Sequence, residues 1–107
     1  MKHTPNKLAT IASSMVATVQ STGRHVYTRL PAGLEIVMQR TDRRWRLALA
    51  REAPATPSEV EIVVICRDFK VPDEAHIHTC QKTRWHPKSR REITYNVAEL
   101  TWREVAE

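Results

Sequence analysis

Between residues 25 and 50 apolar side chains fall on every second position, and two turn signals interrupt the alternation. Val26, Thr28 and Leu30 share one parity. Past Pro31-Ala32-Gly33, Leu34, Ile36 and Met38 alternate with Glu35, Val37 and Gln39. Past Thr41-Asp42-Arg43, Trp45, Leu47 and Leu49 alternate with Arg44, Arg46, Ala48 and Ala50. A period of two belongs to strands, whose successive side chains point to opposite faces. Pro presets φ and Gly tolerates a positive one, so both interruptions read as turns. The segment predicts a three-stranded antiparallel meander with one apolar and one partly basic face.

Prolines at 5, 31, 54, 57, 72 and 87 divide the rest into pieces the length of single elements. Each removes a backbone donor and biases the residue before it away from helix. Thr4 can cap a first helix with Pro5 at its first position and Gly23 at its end, residues 1–6 being expected to fray. Leu8, Ile11, Ala12, Met15 and Val19 recur at helical spacing along it. Thr56-Pro57-Ser58-Glu59 has the capping-box pattern, with Thr56 as cap and Glu59 three positions on. The β-branched run 60–66 that follows suits a buried strand, but the cap and the charge order favour a helix through Phe69. Such a helix carries a broad apolar arc and is expected to pack heavily across the meander.

Residues 75–103 read as a long hairpin, with arms near 75–85 and 92–103 and a flexible connection at 86–91. In its second arm Ile93, Tyr95 and Val97 share one parity, whereas Leu100 and Trp102 have the other. Either a bulge near residues 98–99 or an interior strand buried on both faces reconciles them. The expected class is therefore α+β: an N-terminal helix, a three-stranded antiparallel meander, a second helix and a C-terminal β-hairpin. These form a single two-layer domain over residues 1–107.

A chain of 107 residues with 41% apolar and 27% charged residues is ordinary for one soluble domain. It has no apolar run of the ~20 residues that would span a bilayer, so no membrane partner is expected. Cys66 and Cys80 are too few for a disulfide framework, which points to reduced thiols and a cytoplasmic location. The acid-poor, hydroxyl-rich residues 1–34 resemble a transit peptide, and Lys2 before the mildly apolar 8–19 run faintly resembles a secretory signal. The hydroxyls at Thr10, Ser13, Ser14 and Thr18 weaken that run, and an ordinary helix is the better reading.

The net charge of +5 is concentrated. Residues 40–46 hold four Arg and one Asp, and residues 82–91 hold five Lys or Arg without an acid, so these 17 residues sum to +8 and the other 90 to −3. Each cluster contains a tryptophan, Trp45 or Trp85. Parity sends Arg44, Arg46, His76, His78, Lys82 and Arg84 to the face opposite Trp45 and Leu47, with Tyr27 and Arg29 beside them. Such a sheet surface can track phosphates and stack bases. The 41–43 turn and the 86–91 connection are expected at opposite ends of the sheet, so the clusters would meet across the shared face.

Other chemistry is thin. His76, His78 and Cys80 at two-residue spacing can offer three ligands to zinc, with His86 or His25 as a fourth, but no C-x-x-C pair accompanies them. They equally suit a polar strand surface, and neither a metal nor a cofactor is expected. Cys80 next to His78 lacks an orienting partner, Cys66 lies in the most apolar stretch, and two glycines exclude a phosphate-cradling loop. No catalytic residue stands out and no enzyme is expected.

The order helix, three strands, helix over about residues 5–70 resembles double-stranded-RNA-binding domains in topology alone. Those domains start the second helix with basic residues that contact phosphate, whereas Pro57-Ser58-Glu59-Val60-Glu61 is acidic here. The chain is therefore not assigned to that family. The expectation is a small non-enzymatic accessory protein that binds DNA or RNA through a basic sheet face and hairpin loop. Arg44, Arg46, Lys82, Arg84, Lys88, Arg90 and Arg91 would meet phosphates, with Trp85 stacking. The rival is a protein-interaction module or small subunit that sets the same cations against an acidic partner.

Overall fold

In the computed structural model, which describes residues 7–104, the elements follow in the order α1 (Lys7–Thr22), β1 (Val26–Arg29), β2 (Glu35–Thr41), β3 (Arg44–Glu52), α2 (Glu59–Asp68), β4 (His76–His86) and β5 (Arg91–Arg103). Five antiparallel strands make one sheet in the spatial order β1-β2-β3-β5-β4, and the helices cover one of its faces. The chain is thus a single α+β domain. The hairpin is not a separate appendage: its second arm lies against β3, which leaves its first arm at the sheet edge.

This order resolves the conflicting parity of the last strand. The β3–β5 and β4–β5 registers run without a slip from end to end, so there is no bulge at residues 98–99. β5 is an interior strand. Ala98, Leu100 and Trp102 face the helices, and Ile93, Tyr95 and Val97 face away from them, packed around Ala48.

The helix-side core holds the residues that the alternation singled out. Ile36, Met38, Leu47, Leu49 and Leu100 are at most 1% exposed beneath Ala12, Met15 and Val19 of α1. Burying a side chain of that size contributes about 2 kcal/mol relative to exposure. Trp45 and Trp102, cross-strand partners, stack in parallel at 6.1 Å and close the core at one end. Gly23, at φ +71°, ends α1 with its N–H donating to the Val19 carbonyl at 2.9 Å. The proposed cap Thr4 and first-turn Pro5 lie outside the described residues.

The turns follow their chemistry. Asp42 and Arg43 both take positive φ (51° and 65°), the pairing that a two-residue hairpin requires to match strand twist. Gly33 at φ 94° completes the β1–β2 turn. The β4–β5 connection departs from expectation. The strands run on to His86 and Arg91, and only residues 87–90 turn. That turn is closed by the Arg90 N–H donating to the His86 carbonyl at 2.8 Å, with the Ser89 hydroxyl 3.1 Å from the His86 Nδ1.

The run at 60–66 is helical, but its cap sits two residues later than the sequence pattern suggested. Ser58 caps, its hydroxyl accepting from the Glu61 N–H at 3.1 Å while the Glu61 carboxylate accepts from the Ser58 N–H at 2.9 Å. Glu61 also binds the Arg51 guanidinium of β3, which holds its carboxyl below the usual range and anchors the helix start. Cap and anchor together select the Ser58 frame over the Thr56 one. The apolar arc is narrower than expected. Ile62, Ile65, Cys66 and Phe69 point inward beside α1, whereas Val60 and Val63 are 72% and 66% exposed.

Candidate nucleic-acid interface

The face of the sheet away from the helices is where the predicted basic surface lies. Strand register puts Arg29 of β1, Arg44 and Arg46 of β3, Lys82 and Arg84 of β4, and Arg91 and Arg103 of β5 on it. Three carboxylates share the face: Glu35, Glu52 and Glu99. Among the described strand residues that leaves four positive charges in excess, with His76, His78 and His86 besides. On the helix side, in contrast, Arg40 and Arg51 are matched by Glu104 and Glu61.

The open face is concave. β2 and β4 are three strand steps apart, about 14 Å in a flat sheet. The Arg84 guanidinium of β4 nevertheless donates to Glu35 of β2 at 3.1 Å, so the sheet curls toward this side. Three hollows of about 750, 470 and 250 Å³ follow one another along it, the first opening at the sheet end where Trp45 and Trp102 of the other face also line it. Arg46 lines the first and second, and Arg84 the second and third, so the hollows adjoin at these side chains as a segmented groove. The floor at its centre is apolar, formed by Val37, Ala48, Tyr95 and Val97.

Several rim cations are held rather than free. Arg46 binds Glu99 through two nitrogens, and the Lys82 ammonium donates to the same carboxylate at 2.9 Å. Arg46, joined by Lys82, overrides the desolvation of Glu99 and lowers its carboxyl to about 2. Arg84 lies over the Tyr95 ring at 4.5 Å while reaching Glu35. This stacking and pairing fix the guanidinium plane across the groove. Arg91 stands 3.9 Å from Glu52, a looser contact between exposed groups.

The expected contact set is therefore divided among three places. Arg44, Arg46, Lys82, Arg84 and Arg91 share the open face, whereas Lys88 and Arg90 occupy the hairpin tip. Trp85 projects from the opposite face of β4, the helix side, where it is 60% exposed. It also borders the third hollow, beside Arg84 and His86. The basic turn at 42–43 and the hairpin tip stand at opposite ends of the sheet, since Arg44 pairs with Arg103 and Arg91 lies beyond the end of β3. Glu35, Glu99 and the apolar floor lie outside the charge clusters, but strand alternation puts them on the same face as Arg46.

His76, His78 and Cys80 do line one face of β4, but neighbours of that spacing sit nearly 7 Å apart along a strand. A single ion cannot reach all three, and no group of three His, Cys, Asp or Glu among the described residues converges on a metal position. Cys66 and Cys80 are free thiols, and burial pushes the Cys66 thiol up. No described helix is long and apolar enough to cross a membrane. The chain matches no protein-family model, no curated protein and no solved structure.

Proposed function

We propose that this chain is a non-enzymatic nucleic-acid-binding protein whose curled open face follows a phosphate backbone. The observation that carries the reading is the charge division between the faces. The open face keeps four uncompensated positive charges along one groove, while the helix-side strand cations are neutralised and the start of α2 is acidic. Arg44 and Arg103 at one end, and Arg29 at the other, are the cations with the least internal commitment. Arg46, Lys82 and Arg84 set the shape of the groove through Glu99 and Glu35 and exchange part of that pairing for phosphate. The tip residues Lys88 and Arg90 extend the positive surface past the sheet.

Phosphate neutralisation releases counterions, so affinity falls linearly with salt on a logarithmic plot. If about four phosphates are met, binding to a generic duplex should show a slope of roughly −4. Arg44→Gln should lower that slope by about 1 without sequence preference. Absence of binding to duplex and single strands at low salt overturns the reading.

The apolar floor beneath the cations favours a second reading, since a phosphate backbone does not require one. An extended acidic protein segment could lay side chains on Val37, Ala48 and Val97 while its carboxylates meet Arg46 and Lys82. That reading calls for a defined partner that stays bound after nuclease treatment and high salt.

A further inference from the structure

β4 is an unprotected edge. It runs for 11 residues, pairs with β5 without a bulge and contains no proline. Nothing among the described residues covers its outer side, and every residue in it except Cys80 is exposed. The opposite edge, β1, has four residues and is soon followed by Pro31. Proteins usually blunt long edges with proline, bulges or charge. The cations of β4 are already matched, Lys82 by Glu99 of β5 and Arg84 by Glu35 of β2, which reduces the repulsion they would offer a second strand.

The helix-side residues of this edge read Ile77, Thr79, Gln81, Thr83, Trp85, a row whose two ends are the strand's exposed large apolar groups, 57% and 60% accessible. Read antiparallel to itself about Gln81, the row is self-complementary: Ile77 meets Trp85, Thr79 meets Thr83, and Gln81 meets Gln81. The first two are favourable cross-strand pairs, and the two Gln81 amides can hydrogen-bond to each other. The same register brings the turn residue Lys88 towards Glu74, each two residues outside the strand.

We propose that two copies of the chain join β4 to β4 about a two-fold axis at Gln81, forming one ten-stranded sheet with the helices of both copies on the same side. A two-fold axis normal to the sheet preserves the faces, so the register can shift only by even steps. Centring on Cys80 sets Ile77 against Thr83 and Trp85 against Ala75. Centring on Lys82 brings two ammonium groups together and sets Ile77 against Pro87. Only the Gln81 register joins the apolar pair and the Lys88–Glu74 pair. On the open face it juxtaposes Cys80 with Lys82 and His78 with Arg84, cations already matched by Glu99 and Glu35. The dimer does not depend on nucleic-acid binding. If both hold, the two grooves lie side by side on one surface.

Sedimentation equilibrium of the full chain tests this, with a mass twice 12.3 kDa expected for the wild type. Ile77→Lys and Lys88→Glu should each weaken the dimer about tenfold or more, because every substitution counts twice across the axis. The pair Lys88→Glu with Glu74→Lys should restore it. All should keep the wild-type circular dichroism, since the sites are exposed. In a Cys80→Ser background, Gln81→Cys should form an intermolecular disulfide. Thr79→Cys should not, because the two copies of residue 79 then stand about 13 Å apart, beyond disulfide reach. A monomer at concentrations up to about 100 µM, which excludes any affinity useful to the cell, overturns the proposal. So does a dimer indifferent to these substitutions, or linkage by Thr79→Cys as efficient as by Gln81→Cys.

Discussion

The two arms of the hairpin are bonded to each other rung by rung, yet they live in different environments. On one rung Leu100 of β5 is 1% exposed and its partner Ile77 of β4 is 57% exposed. Both side chains are branched aliphatics on the same face. The difference is one of position: β5 has a strand on each side and protein over most of both faces, while β4 lies past the reach of the helices. Apolar residues in β5 therefore build the fold, and those in β4 are available to something outside it.

The sharpest way to break that comparison is to truncate both members of the rung. Leu100→Ala should cost about 3 kcal/mol, the usual loss when a closely packed aliphatic side chain leaves a cavity. Denaturant unfolding measures this, and a loss under about 1 kcal/mol would show that β5 is not the packed centre of the sheet. The next largest effect concerns the charged group that ties β4 to its neighbour. Glu99→Gln should cost about 1–2 kcal/mol at neutral pH, through weakened bonds to Arg46 and Lys82.

That loss has a direction in pH. The Glu99 carboxyl titrates at about 2 in the folded chain, below the ordinary carboxylate range it has when unfolded. Its stabilisation is complete above the unfolded value and disappears as pH falls through the folded one. Wild type and Glu99→Gln should thus converge in stability between about pH 4.5 and pH 2; a gap that stays constant over that window excludes the charged network as its source. The smallest effect completes the comparison. At concentrations where the chain is monomeric, Ile77→Ala should change stability by no more than about 0.5 kcal/mol.

Most of the architecture could be read from the residues, because alternation, proline placement and turn chemistry agree over 25–50. Ambiguity persisted where two signals competed. Ile93, Tyr95 and Val97 against Leu100 and Trp102 could mean a bulge or a doubly buried strand, and only the pairing partner distinguishes them. In α2 both Thr56 and Ser58 stand three residues before a glutamate. Arg51, distant in sequence, decides which glutamate becomes part of the cap. The candidate site was visible as a set of cations and invisible as a surface. Local charge counting located Arg44, Arg46, Lys82 and Arg84 but not the facing Glu35 and Glu99, which come from other strands. Trp85 was grouped with the cations by nearness in sequence, although its odd number already assigned it to the other face.

The position of β5 also bears on how the protein is made. It is the strand that closes the sheet, and it follows every other described element. During synthesis, the meander must wait with the inner edge of β3 unpaired and Leu47 and Leu49 half covered until residues 91–103 emerge from the ribosome. Pairings that span such sequence distances form slowly, and open edges are where nascent chains aggregate. A growing chain that stalls before Arg91 would present two unfilled edges, those of β3 and β4, in place of one finished sheet. Ribosome-bound intermediates of that length are thus expected to be substrates for chaperones that bind extended apolar segments, and the requirement should end once β5 has inserted.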